Sequence, residues 1–100
     1  MNENVLEIVT FNSASGISPD ALATAGAAIY PWLVDQPGFV RRSLARADDG
    51  GWVDCVTWSS METAHTAAAS MRSAPGAPAF LAAIDMSSVT VWHFRVAVDI

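Results

Sequence analysis

Apolar and polar positions divide the chain into four strand-like segments. Residues 5–12 are rich in β-branched and aromatic side chains and precede a serine- and glycine-rich turn, so they predict the first strand. Residues 39–47 and 52–58 flank a turn that contains Asp49-Gly50, a dipeptide typical of an antiparallel hairpin. Residues 89–98 predict the last strand.

Two strand registers are possible for the hairpin. A two-residue turn places Arg41 opposite Trp58 and Ala45 opposite Asp54. A one-residue bulge at Gly51 shifts every pair by one position. The sequence alone does not choose between them.

The first helical region begins with a capping signal. Ser18 can accept hydrogen bonds from free N–H groups, Pro19 suits the first helical position, and an acid at position 20 favours the positive end of the helix dipole. Pro31 lacks the N–H that would continue the helix, so a kink or a short second helix is expected before residue 37. The apolar stripe of this region consists of Leu22, Ala25, Gly26, Ile29 and Leu33.

The second helical region follows the third strand directly. Ser59 and Glu62 match a capping box, which predicts a helix from the end of Trp58 to about Arg72. A break is expected at 73–77, and Pro78 then opens a short helical turn through Phe80, Leu81 and Ile84.

The order of elements is β-α-β-β-α-β, without an internal repeat or a linker, so residues 1–100 are expected to form a single domain. Right-handed crossovers and pairing of neighbouring strands favour an α+β, ferredoxin-like fold with a four-stranded antiparallel sheet and both helical regions on one face.

The last strand carries apolar residues on both sides. Val89, Val91 and Ala97 alternate with a second series, which consists of Trp92, Phe94, Val96 and Val98. Helices cover only one face of such a sheet, and each large apolar side chain left in water forgoes roughly 1.5–3 kcal/mol. The sequence therefore predicts a homodimer that packs sheet against sheet.

Composition and charge narrow the possible partners. The chain is 52% hydrophobic and 15% charged, with a net charge of −5 and five arginines but no lysine, which argues against nucleic-acid binding and excludes a lysine Schiff base. Cys55 is the single cysteine, and the N-terminus has no basic-then-apolar leader, so a cytoplasmic protein is expected. The longest apolar stretch, 25–34, is too short to cross a membrane.

Three segments resemble a known family. Pro37-Gly38-Phe39, the Asp49-Gly50 hairpin and residues 56–64 are similar to the antibiotic biosynthesis monooxygenase family of the dimeric α/β-barrel superfamily. The resemblance implies a homodimer whose two sheets form a barrel, with one pocket per subunit between helices and sheet. Members oxidise polyketide-derived aromatics without metal or flavin, and others degrade haem. The superfamily alone does not determine the reaction.

The haem-degrading relatives use an Asn on the first strand, a Trp at the end of the third strand and a His on the following helix. Asn12 and Trp58 occupy the corresponding positions. The expected histidine position falls near Ala68, whereas His65 lies about one helical turn earlier. The resemblance therefore does not extend to a haem ligand.

Three residues are candidates for catalysis. The Trp58 indole can lie along an aromatic ligand while its N–H finds a polar partner, although a large aromatic at a strand end is also a common core residue. Asn12 could orient a substrate carbonyl or oxygen, or simply form the turn beside it. A histidine side chain ordinarily titrates near neutral pH, so His93 could remove a phenolic or ring proton, or it could hydrogen-bond the backbone or face a partner subunit.

Four further residues are candidates for substrate binding: Tyr30, Trp32, His65 and Phe80. Packing between helices is the alternative for Tyr30, and a surface pair with Glu62 is the alternative for His65. Asp54 within an apolar strand is expected to form an ion pair with Arg41, Arg42 or Arg95.

No metal site and no nucleotide site is predicted, because the two histidines are far apart and the glycines lack the spacing of a phosphate loop. The leading hypothesis is a cofactor-independent monooxygenase that acts on an electron-rich aromatic or polyketide-like molecule. The alternatives are a non-catalytic protein that binds an aromatic or haem-like molecule, and a structural dimer module.

Overall fold

The four predicted strand segments form one antiparallel sheet. The computed structural model describes residues 3–99. The strands are β1 (Val5–Ser13), β2 (Phe39–Arg46), β3 (Trp52–Trp58) and β4 (Ile84–Arg95). They lie in the order β2-β3-β1-β4, and every neighbouring pair is antiparallel. The α+β, ferredoxin-like fold is confirmed.

The helical regions supply the other half of the core. The helices are α1 (Pro19–Ala27), α2 (Tyr30–Val34), α3 (Met61–Ser70) and α4 (Ala77–Ala82), with a 3₁₀ turn at Met71–Ser73. The Ser18 hydroxyl caps α1 by accepting from the Ala21 N–H at 3.1 Å, as predicted. Pro31 lies in the first turn of α2, where its missing N–H costs nothing, so the short second helix is the observed solution.

The cap of α3 differs from the prediction by one residue. The Ser60 hydroxyl accepts from the Thr63 N–H at 3.1 Å, so Ser59 and Glu62 do not form the expected capping box. The Ser59 N–H donates instead to the Gly38 carbonyl at 2.8 Å, which holds Ser59 in an extended connection. Gly38 has a φ of +83°, and a Cβ there would collide with the side chain of Thr63. With Ser60 as its cap, α3 begins at Met61.

The last strand begins earlier than predicted. Ile84, expected in a helical turn, is the first residue of β4 and pairs with Ser13. The polar run after it resembles a loop in sequence, but the Asp85 carboxylate accepts from the N–H and hydroxyl of Ser87, at 3.1 and 2.6 Å. A register shift between Thr10 and Asn12 absorbs this irregular stretch.

The end of β4 is also different from the prediction. The strand ends at Arg95, so Val96, Ala97 and Val98 lie beyond it. Val96 still donates its N–H to the Asn4 carbonyl at 2.8 Å, whereas Val98 is 73% exposed.

The hairpin register is shifted by one position, but through a longer loop and not through the bulge considered at Gly51. Arg41 pairs with Thr57 and Ala45 with Val53, one position away from the pairing of a two-residue turn. The Ala47 N–H donates to the Gly51 carbonyl at 2.7 Å, so the loop spans 48–50. Gly50 has a φ of +94° in this three-residue loop, a conformation that glycine adopts readily.

The core joins the helices to one face of the sheet, here called the inner face and defined by Glu7, Asp54, Val56 and Trp58. The opposite face, here called the open face, carries Leu6, Ile8, Trp92 and Phe94. None of the helices within residues 3–99 is both long and apolar enough to cross a membrane.

Candidate functional site

A cavity of about 250 Å³ lies between the inner face and the helices. Its wall is largely aromatic and aliphatic, with Phe11 and Trp58 from the sheet and Trp32 and Phe80 from the helices. The volume is just below the roughly 300–1,000 Å³ of typical small-molecule pockets, which favours a compact ligand.

The cavity opens to solvent along β4. Met86 and Val91 belong to its wall, yet they are 47% and 52% exposed. Large apolar side chains that border both a cavity and solvent mark an entrance that an apolar ligand can use.

Trp58 is the most deeply buried aromatic residue of the cavity wall, at 1% exposure. The Phe39 ring packs edge-on against the indole at 5.9 Å, and Tyr30 packs edge-on against Phe39 at 6.0 Å. The indole Nε1 is buried and has no hydrogen-bond partner among residues 3–99. A buried N–H without an acceptor costs about 1–3 kcal/mol, which a ligand acceptor can recover.

An ion pair forms the polar part of the wall. Arg42 Nε and Nη2 donate to the two Asp54 carboxylate oxygens at 2.9 and 2.7 Å, and the side chains are 6% and 13% exposed. Of the three arginines considered from the sequence, Arg42 is the partner of Asp54. Its Nη1 donates to the Gly26 carbonyl, and its guanidinium lies 5.6 Å from the centre of the Phe80 ring.

A second polar pair lies beside the cavity. Glu7 belongs to the cavity wall, and its Oε2 is 2.9 Å from Nε2 of His93 on the neighbouring strand. The His65 ring on α3 packs edge-on against His93, with the ring centres 4.9 Å apart. Sequence analysis missed Glu7, although its alternation with Val9 and Phe11 indicates an acid among inward-facing residues.

The structure brings together only part of the predicted site. Trp32, Trp58 and Phe80 share the cavity wall. His65 and His93 lie next to that wall, behind Glu7, and Tyr30 is half-exposed on the far side of Phe39.

Asn12 lies at the other end of the sheet from Trp58. The residue opposite Trp58 on β1 is Val5, so Asn12 is roughly 20 Å further along the strand. It borders a separate surface depression with Asp49 and Ser88, and its N–H donates to the Ser88 hydroxyl at 2.8 Å.

Ala68, near which the sequence resemblance leads one to expect a histidine, belongs to the cavity wall. An alanine there has no atom that could ligate haem iron. Within residues 3–99, no group of three or more His, Cys, Asp or Glu side chains is arranged to hold a metal ion.

The fold and cavity define a class: small ferredoxin-like domains with an aromatic pocket between sheet and helices. No protein-family model matches the chain, and no curated protein matches its sequence. Solved structures do match. SnoaB from Streptomyces nogalater, described as a cofactor-independent oxygenase, is 23% identical with a TM-score of 0.66, over 97% of this chain and 94% of that chain.

Two further structures have the same fold. A candidate antibiotic biosynthesis monooxygenase from Bordetella bronchiseptica is 12% identical, with a TM-score of 0.73 over 96% of this chain and 99% of that chain. A heme-degrading protein from Mycobacterium tuberculosis is 20% identical, with a TM-score of 0.71 over 100% and 98% of the two chains. The chain therefore has the antibiotic biosynthesis monooxygenase fold, as the sequence resemblance implied.

Proposed function

We propose that the protein is a cofactor-independent monooxygenase that acts on an electron-rich aromatic or polyketide-like molecule. The observation that carries this proposal is the aromatic cavity whose wall includes the Trp58 indole with an unpartnered N–H. An aromatic ligand can pack against Trp32 and Phe80. Because Trp58 Nε1 has almost no accessible surface, we expect the wall around the indole to move on binding, so that an oxygen atom of the ligand accepts from this N–H. The description of SnoaB as a cofactor-independent oxygenase supports the same class of reaction.

The chemistry belongs mainly to the substrate. An anthrone that loses a proton in the cavity becomes an electron-rich anion, and this anion reduces O₂. One oxygen atom bonds to the ring carbon and becomes a carbonyl oxygen, and the other leaves as water with the two hydrogens of the former CH₂ group. The protein contributes a largely apolar cavity and an N–H donor near the developing charge, and such a donor is often the largest electrostatic contribution of an enzyme.

Oxygen uptake with 1,8-dihydroxyanthrone tests this function. We expect uptake above the rate without protein, and a decrease of about 10²-fold in Trp58→Phe, which is the cost of removing one donor to a developing anion. Trp92→Phe is the matched control, because Trp92 lies on the open face and its replacement leaves the cavity intact. Absence of turnover across a panel of anthrones and related phenols would contradict the proposal.

A non-catalytic binding protein is the second candidate function. The heme-degrading protein with the same fold favours a haem-like ligand, whereas Ala68 offers no ligand for the iron. Thermal-shift measurements with aromatic acids and hemin separate this candidate from the enzyme. A binder is stabilised by its ligand in proportion to the logarithm of ligand concentration and consumes no oxygen.

We also propose that two copies of the chain associate through their open faces. Trp92 and Phe94 are 49% and 48% exposed, and their rings are stacked with centres 6.2 Å apart. Leu6 and Ile8 extend this apolar strip on β1, opposite Phe94 and Trp92. A second identical strip provides a matching apolar cover and leaves both cavities accessible from the other side of each sheet.

A further inference from the structure

Glu7 differs from the other carboxylate of the cavity wall. Asp54 is neutralised by Arg42 through two hydrogen bonds, whereas Glu7 has no arginine partner among residues 3–99. The Glu7 side chain is 13% exposed and lies on the sheet between Val56 and His93. The sheet thus holds a carboxylate at an apolar wall with a single imidazole as its partner.

The geometry of the pair leaves one carboxylate oxygen free. A carboxylate in its ionised form only accepts hydrogen bonds, so when Glu7 is ionised the Nε2–H tautomer of His93 is the one that donates to Oε2. Oε1 has no hydrogen-bond partner among residues 3–99, and it is not fully buried. The His65 ring packs edge-on against the His93 imidazole, with the ring centres 4.9 Å apart.

We infer that Glu7 accepts the proton of a bound hydroxyaromatic, and that His93 is a positioning residue that directs Oε1 toward the ligand. This inference rests on the proposed function and identifies the step that begins the reaction. The substrate C–H bond at the carbon that is to be oxidised breaks, its electron pair remains on the substrate, and an O–H bond forms at Oε1. No oxidant is needed for this step.

The same arrangement selects the substrate class. A neutral hydroxyaromatic offers a hydrogen-bond donor to Oε1, whereas an aromatic carboxylate brings a second negative charge next to Glu7. Arg42 faces the cavity but is engaged by Asp54 and the Gly26 carbonyl, and Arg72 is exposed at the cavity edge. The cavity therefore has no free buried cation, among the described residues, to receive a carboxylate.

A matched ligand pair tests the selection without any reaction. We expect the full chain to bind 2-naphthol at least tenfold more tightly than 2-naphthoate in calorimetric titrations, and Glu7→Gln to remove most of this preference. Glu7→Gln keeps the size and the polar contact to His93, so folding is retained and is checked by circular dichroism. Equal binding of the two ligands by the unmodified protein, or an unchanged preference in Glu7→Gln, would overturn the inference.

Proton removal is measured separately from oxidation. Without oxygen, the protein is expected to accelerate exchange of the C10 hydrogens of anthrone with D₂O, and Glu7→Gln is expected to lower this acceleration about 10²-fold or more, as for loss of a general base. His93→Gln should lower the maximal exchange rate while KM and the naphthol preference stay unchanged, because the Glu7 charge remains. A parallel loss of binding in His93→Gln would assign it a merely structural role and overturn its positioning role.

The two proposals fail in different ways. Exchange that depends on Glu7 without oxygen uptake refutes the monooxygenase and supports the proton acceptor. Oxygen uptake that depends on Trp58 but survives Glu7→Gln refutes the proton acceptor and supports the monooxygenase.

Discussion

The two faces of the sheet place the same residue type in opposite environments. Trp58 on the inner face is 1% exposed and borders a cavity, whereas Trp92 on the open face is 49% exposed and stacks on Phe94. The difference arises from the cover, because the helices pack only against the inner face. Whether a tryptophan of this sheet lines a cavity or stays exposed therefore depends on whether helices cover its face.

The two faces also differ in their charged groups. The inner face carries two polar pairs: Arg42 with both carboxylate oxygens of Asp54, and His93 with one carboxylate oxygen of Glu7. Buried charges persist only when they are paired, and near a cavity such pairs provide fixed polar positions for a ligand. The apolar strip on the open face has no such paired polar groups. It is therefore better suited to contact with a flat protein surface than to binding a small molecule.

The largest expected effect concerns the charged interior of the inner face. Arg42→Met leaves the Asp54 carboxylate buried without its partner, which costs about 3–5 kcal/mol of unfolding free energy. Urea denaturation followed by tryptophan fluorescence measures the change.

Two variants control this prediction. Arg42→Met combined with Asp54→Leu removes both charges and should restore most of the lost stability, since paired apolar replacements of buried ion pairs are often neutral or better. Arg46→Met changes an exposed arginine of the same strand and should stay within about 0.5 kcal/mol of the unmodified protein. An Arg42→Met variant as stable as the Arg46→Met variant would mean that the pair does not stabilise the inner face.

The open face provides the second prediction. Trp92→Asp places a charge in the proposed dimer contact and removes an aromatic side chain whose burial contributes about 1.5–3 kcal/mol, so dimer affinity should fall about tenfold to a hundredfold or more. Analytical ultracentrifugation over a dilution series measures the association. The cavity lies on the other face, so the affinity for 2-naphthol should change little.

Val34→Asp serves as the control for the open face. Val34 is 48% exposed and lies on α2, on the helix side of the sheet, so its replacement should leave the dimer intact. If the unmodified protein sediments as a monomer at micromolar concentration, the open face has a different role and the proposed association is wrong.

Some elements of this fold could be predicted from local sequence patterns, and others could not. The alternation in 5–12 and the Ser18 cap are local patterns, and both predicted their elements correctly. The start of β4 escaped prediction because Asp85 satisfies the polar residues after it within the strand. A local sequence pattern does not reveal hydrogen bonds of this kind, which let polar residues continue a strand.

The candidate site depends on register and on tertiary packing. The pairing of Glu7 with His93 depends on the β1–β4 register, which includes an irregularity between Thr10 and Asn12. Sequence analysis identified His93 but had no means to find its partner across the sheet. Trp58 was predictable because it ends a strand at a recognisable corner, whereas the distance between Trp58 and Asn12 required the observed pairing.

The smallest expected effect concerns Cys55, which alternates with Asp54 and Val56 and therefore belongs to the open face. Burial raises the pKa of the Cys55 thiol, the Asp54 carboxylate raises it further, and Arg41 opposes both. Because the thiolate is the reactive form, alkylation by iodoacetamide at pH 8 should be slower than that of free cysteine and should accelerate as the pH rises. The raised pKa of Cys55 also affects stability. It adds to the free energy of unfolding below the unfolded-state pKa of the thiol, and this contribution is lost as the pH rises through the folded-state pKa.

Arg41→Gln removes the opposing charge, so it should raise the pKa of Cys55 and slow alkylation at pH 8 by less than tenfold. Arg46→Gln is the matched control, because Arg46 pairs with Trp52 beside the turn, on the opposite face of the sheet from Cys55, and its replacement should leave the rate unchanged. The measurement uses dilute protein, and a further decrease in rate at high concentration is expected if two open faces cover Cys55. Faster alkylation in Arg41→Gln would contradict the assigned electrostatics, and a rate independent of concentration up to complete dimerisation would place Cys55 outside the contact.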